Sequence, residues 1–123
     1  QNNIKLYGHR DNTADYFVKS KVLIMPSISE GLSTAMLEAM SSECVPVVSD
    51  VGEMTKAAVD GRNSFVIKKY NDFLGFAKKI NILLSDNLKR NKMASNARED
   101  VLKEYSIDEQ MNQFEVLIRK ILS

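Results

Sequence analysis

Glu30 and Glu38 stand with seven residues between them in the stretch PSISEGLSTAMLEAMSSECVPVVSDVGE, Pro26 to Glu53. Glu30 comes just before Gly31 and a short polar run, and Glu38 lies inside an apolar-periodic segment. One carboxylate at the mouth of a helix and another two turns along it either decorate a solvated helix or grip a ligand together. Gly31 lets the backbone approach a ligand closely. The amides of Leu32, Ser33 and Thr34 are the unpaired donors of a helix N-terminus, where the macrodipole favours an anion. A phosphate at that mouth, with a hydroxyl-bearing group on each side for a carboxylate, is the chemistry on offer. Sugar, diphosphate and ribose in a row satisfy it.

The helix after Gly31 has an apolar face of Leu32, Ala35, Met36, Ala39 and Met40. At about 100° per residue, Glu38 falls roughly 130° from the middle of that face, on the flank of Thr34 and off the core. Glu30 lies in the loop just past the carboxyl end of a strand, the edge where open α/β sheets bind ligands. A competing reading takes SISE, Ser27 to Glu30, as a capping box and Glu38 as a surface glutamate of good helix propensity. That reading puts Gly31 inside the first turns, at a cost of about 1 kcal/mol relative to Ala.

The elements that must position these residues alternate between β-type and helical runs, which argues for α/β with parallel strands. IKLYG, Ile4 to Gly8, is expected as a strand ending at a glycine turn, followed by a short helix from Asp11 to Ser20. Val22 to Met25 is a strand that Pro26 ends by removing a donor. A helix from about Ser33 to Ser42, a strand Pro46 to Ser49, a short helix closed by Gly61 and a strand Ser64 to Lys68 complete this part. The rest is helical, with Phe73, Phe76, Ala77, Ile80, Leu83 and Leu84 at the spacing of a helix laid on a core. Leu88, Met93, Ala97 and Leu102 make a thinner stripe on the next helix. SIDE, Ser106 to Glu109, fits a capping box that opens a last helix carrying Ile107, Met111, Phe114, Leu117, Ile118 and Ile121.

The 123 residues, 44% hydrophobic, make one globular unit able to bury a core. A formal net charge of +1 gives no field favouring nucleic acid, and the lysines of the late helices are interleaved with acids as on a solvated face. Cys44 is the only cysteine and His9 the only histidine, so neither a disulfide framework, a zinc site nor a Ser-His-Asp triad is expected. A reducing cytoplasmic setting fits. The start, QNNIKLYG, has neither Met nor a signal-peptide core and is expected to continue a longer chain.

The stretch VLIMPSISEGLSTAMLEAMSSECVPVVSDVGE resembles the donor-site signature of retaining glycosyltransferases of family 4, with the GT-B fold. The shared pattern is a strand, PS, the two spaced glutamates, EAM and a PVV strand. IKLYGHR is similar to the family's strand-Gly segment and VDGRNSFVIK to a later strand. The resemblance covers essentially the whole chain. It implies that Glu30 contacts the donor hexose and supports transfer, and that Gly31, Leu32, Ser33 and Thr34 hold sugar and diphosphate. It also implies that Glu38 binds ribose hydroxyls and that Gly8, His9 and Arg10 lie near the base, chiefly through backbone. Neither a metal nor another cofactor is implied.

Departures fall at Glu43, Glu53 and Ser64, where the family commonly has glycine, and at Lys56, where it has Glu. The family's upstream Arg and Lys that neutralise the diphosphate do not occur in this chain, nor does its acceptor-binding N-terminal domain. The resemblance therefore implies an incomplete doubly wound parallel sheet, residues 1–68, carrying a helical segment, residues 69–123. The fragment is expected to be inactive alone. The full-length protein would be a cytoplasmic hexosyltransferase at the inner face of a membrane, where peripheral association brings it to a carbohydrate or glycolipid acceptor. A sugar-nucleotide epimerase, a degenerate nucleotide-binding or interaction domain and a plain packing domain are the rival readings.

Overall fold

The computed structural model describes residues 3–123; Gln1 and Asn2, where the expected α/β part begins, lie outside the described residues. Three parallel strands form the sheet in the order β1-β2-β3: β1 Val22–Met25, β2 Val45–Ser49 and β3 Phe65–Ile67. Val22 pairs with Val45 and Met25 with Val48, and Val47 pairs with Phe65. Every residue of β2 is buried, as a central strand of continuous apolar character should be. Because side chains alternate across a strand, Val45 and Val47 enter one core and Val48 the other.

Helices cover both faces. On one, α2 (Thr34–Ser41) packs Met36 and Met40 with Val48, Met54, Ala97 and Val101. On the other, α3 (Phe73–Ser85) brings Phe76 and Leu83 onto Val45, Val47, Phe65 and Ile67. The long α4 (Asn87–Tyr105) serves both cores, Met93 and Ala94 on the α3 side and Ala97 and Val101 on the α2 side. Asp72 and Asp86 cap α3 and α4, accepting from the amides of Gly75 and Lys89. Ser106 likewise accepts from Glu109 at the start of α5 (Ile107–Leu122). Only that half of the expected box forms, because the Glu109 carboxylate accepts from Gln113 instead.

Several sequence expectations are corrected. Ile4 to Gly8 is not a strand: among the described residues β1 pairs only with β2, its outer edge carries no ladder, and Ile4 and Leu6 are 79% and 96% exposed. The segment instead rests Tyr7 edge-on against Tyr16 of α1 (Thr13–Lys19), with ring centroids 4.9 Å apart. On α3 only Phe76 and Leu83 are buried, while Phe73 and Leu84 lie on an outward flank. On α4 the buried stripe runs through Met93, Ala94, Ala97 and Val101, leaving Leu88 and Leu102 exposed. No residue of α5 is buried.

Candidate functional site

Glu30 and Gly31 are set by the ending of one element and the start of the next. β1 stops at Pro26, and the chain bends through Ser27, Ile28 and Ser29 to Glu30 and Gly31 before α2 begins. Ser49, buried at the end of β2, donates its hydroxyl to the Ser27 carbonyl at 2.6 Å and so pins that bend to the central strand. Ser27 donates to a Glu30 carboxylate oxygen at 3.3 Å. This pair replaces the capping box once read into SISE, because Ser27 lies too far ahead of the helix to cap it.

The true N-cap of α2 is Ser33, whose side-chain oxygen accepts from the Met36 amide at 3.2 Å while its backbone stays extended. Leu37 N–H bonds the Ser33 carbonyl at 3.1 Å. Capping therefore satisfies Met36 and leaves the amides of Thr34 and Ala35 as the first open donors of the helix. Leu32 lies outside the helix, so of the expected donors Leu32, Ser33 and Thr34 only Thr34 belongs to its first turn, with Ala35 next to it. Ala35 is exposed, not part of the core face; partly buried Leu37 takes that place. A Cβ on Gly31 would meet nothing within 4 Å, so packing gives no reason for glycine there. Open space over a helix mouth is what a ligand needs.

Glu38 points out of the core, as the helical wheel requires, and accepts from the Thr13 hydroxyl of α1 at 3.2 Å. That bond sets α1 beside α2. Gly8 takes a positive φ of 67° and, with Arg10, Thr13, Tyr7, Tyr16 and Phe17, lines a pocket of about 270 Å³. Arg10 stacks 6.0 Å from the Tyr7 ring centroid. His9 does not line this pocket; it pairs with Asp11 at 3.0 Å, both fully in solvent. Gly8 and Arg10 are thus brought to the Glu38 side of the molecule through α1, and Glu30 is held at the opposite end of the helix mouth.

Three positioning residues escaped the sequence reading. Gly52 has a φ of +53° and packs directly on the Glu30 backbone, where a Cβ would overlap the Glu30 carbonyl. Its signal was a lone Gly after a strand, followed by Glu53 where a second Gly was expected. Ser49 announced itself as a polar residue closing an apolar strand. Thr13 left no local signal, since its partner is 25 residues away.

The loops after α2 hold several of the positions singled out in the sequence. Glu43 sits at a φ of 60° in the turn after α2. There Glu43 N–H bonds the Met40 carbonyl and Cys44 N–H the Ala39 carbonyl, the paired bonds of a Schellman motif, which favours glycine at that residue. Asn63 is fully buried and works as a hub: its oxygen accepts from Val59 N–H, and its amide donates to the Ala57 carbonyl and to Asp100. Lys56 pairs with Glu53 at 2.7 Å on the surface. Cys44 is buried and inert, its thiol pushed up to about 11 by desolvation.

The model of the family "Glycosyl transferases group 1" matches residues 1–100. Among curated proteins, the chain is 26% identical over 104 residues to the capsular polysaccharide biosynthesis glycosyltransferase CapM of Staphylococcus aureus, covering 85% of this chain and 27% of that protein. It is 25% identical over 96 residues to an α-1,4-N-acetyl-D-galactosaminyltransferase of Campylobacter jejuni, covering 78% and 27%. The chain thus spans about a quarter of the length of these relatives. Among solved structures, a glycosyltransferase from Rickettsia africae superposes on 100% of this chain and 33% of its own with a TM-score of 0.89 at 18% identity. Anabaena HepE, solved in complex with UDP-glucose, covers 97% and 33% with a TM-score of 0.84 at 20% identity. The fold is that of the GT-B glycosyltransferases. With its model matched from residue 1 to residue 100, the chain belongs to the glycosyl transferases group 1.

Proposed function

We propose that the protein carrying this chain is a retaining family 4 glycosyltransferase, and that this chain holds a nucleoside-diphosphate sugar. The observation that carries the reading is the mouth of α2: two open amides behind a capped first turn, unfilled space over Gly31, and a carboxylate at each end of the row. The amides of Thr34 and Ala35 take the diphosphate. Glu30, held by Ser27 and the floor under it, hydrogen-bonds the hexose hydroxyls, and Glu38 takes the ribose hydroxyls.

In the transfer the bond from the anomeric carbon to the phosphate oxygen breaks, and the diphosphate leaves with the electron pair. The acceptor oxygen bonds the anomeric carbon, and its proton passes to the departing diphosphate. Charge grows on the leaving phosphate, so donors fixed at the helix mouth stabilise the transition state more than the ground state. A carbohydrate or glycolipid acceptor fits the likeness to CapM, a glycosyltransferase of capsular polysaccharide biosynthesis, and the reading places the full-length protein at the inner face of a membrane.

The test is a titration of the full-length protein with nucleoside diphosphates, followed through backbone amide shifts. The first amides to move are expected to be those of Thr34 and Ala35. Glu30→Gln should collapse turnover with modest loss of binding, and Glu38→Ala should weaken binding by roughly 1.5–3 kcal/mol, the range for hydrogen bonds to a charged group. Undiminished turnover in Glu30→Gln would remove its assigned role.

A further inference from the structure

Residues 3–20 are held lightly. α1 buries no residue, and among the described residues the Thr13–Glu38 bond is the single side-chain hydrogen bond that links this segment to the rest of the molecule. Thr13 donates to Oε2 of Glu38, and no other described side chain bonds that carboxylate. A carboxylate accepts through two oxygens with about four lone-pair sites, so a donor on Oε2 restrains the group and leaves Oε1 open. An exposed glutamate without such a tether spreads over several rotamers, and ordering it on ligand binding costs side-chain freedom.

We propose that Thr13 is a positioning residue: it holds the Glu38 carboxylate ready for the vicinal hydroxyls of a nucleoside ribose and couples α1 to their binding. The inference rests on the donor reading above. It adds that ribose recognition belongs to two helices rather than one. The hydroxyl of Thr13 is the active part, since its methyl group makes no polar contact, and Val keeps the shape of the side chain while removing the donor.

The experiment measures affinity of the full-length protein for UDP, GDP and ADP, and for the 2′,3′-dideoxy form of whichever binds best. Wild type should prefer the ribose form. Thr13→Val should weaken binding of the ribose form by about three- to tenfold, the worth of one net hydrogen bond. It should leave the dideoxy form unchanged and should raise the donor KM with little change in kcat. Thr13→Ser should restore wild-type affinity, and Thr13→Val should have no further effect in a Glu38→Ala background. Equal affinity of Thr13→Val and wild type for the ribose form overturns the proposal. So does a loss shared equally by the dideoxy form, which marks a purely structural role. A wild type that binds nucleotides without preferring ribose overturns the assignment of Glu38 instead, and the proposal falls with it.

Discussion

Gly52 lies flat against the Glu30 carbonyl, closer than any side-chain-bearing residue could come. The loop after β2 is thereby the floor of the loop after β1, and the backbone that carries Glu30 is clamped between Gly52 below and the Ser49–Ser27 bond at its start. The lone glycine of DVGE is a steric requirement of the site.

Gly52→Ala is expected to fail on two counts. Its φ of +53° costs a side chain about 1–2 kcal/mol, and the atom it would meet is backbone, which cannot swing aside. Displacing Glu30 by even ~1 Å should reduce transfer by on the order of a hundredfold. Gly31→Ala is the contrast, because it meets open space and should melt like wild type while losing donor affinity. Melting curves and turnover of the two variants in the full-length protein decide the matter; the reverse ranking would exclude the floor.

Glu43 offers the opposite case, a left-handed residue without the glycine its turn calls for. Glu43→Gly relieves about 1–2 kcal/mol of backbone strain. It returns about 0.4–1 kcal/mol through the freer unfolded chain. The variant should be more stable by roughly 0.5–1 kcal/mol, with donor binding untouched, as read by denaturant titration. A loss of stability would mean that the Glu43 side chain holds the turn in some way its geometry does not reveal.

Asp100 makes a contribution to stability that acid removes. Arg62 clasps it in a bidentate pair at 2.8 and 3.0 Å, and Asn63 adds a third bond at 2.9 Å. The Arg62 hydrogen bonds, aided by Asn63 and opposed by partial burial, hold the carboxyl below its ordinary 3.8. A depressed pKa stabilises the fold above the unfolded value, and that contribution is lost as pH falls through the folded one. Stability should therefore decline from just below pH 4. Asp100→Asn should lie below wild type at pH 7 and converge with it in strong acid. The pair is half in solvent, so salt should shrink the gap. Parallel curves at all pH values would show that the clasp contributes nothing.

How much of this was legible depended on range along the chain. β1, β2 and β3 follow from short-range signals: an apolar run stopped by Pro26, a VPVVS segment and the apolar run FVI, whereas the cap of α2 fell to Ser33 rather than to the serine of SISE. Ile4 to Gly8 has the composition of a strand, but a strand exists only where a neighbour supplies the ladder. Phe73 and Leu84 share a helical stripe with Phe76, yet the sheet is too narrow to reach them. The two glutamates could be read from their spacing, whereas Thr13, Ser49 and Gly52 act on residues 22 to 25 positions away or across two loops. Such contacts are written in the fold, not in any window of sequence.

α5 carries the strongest apolar stripe left in solvent. Ile107, Met111, Phe114, Ile118 and Ile121 recur on one face, and from 41% to 79% of each is exposed. Leu117 widens the same face at 53%. Side chains of this size each hold on the order of 1.5–3 kcal/mol when fully buried, so a stripe left wet favours any arrangement that covers it. The 123-residue chain made alone should therefore self-associate, with an apparent mass by light scattering that rises with concentration. Phe114→Glu together with Ile118→Glu should return it to a monomer without lowering its melting temperature, because neither side chain is part of the core. A chain that stays monomeric at every concentration, or one that melts early when these two residues are charged, would show that α5 is already covered within its own fold.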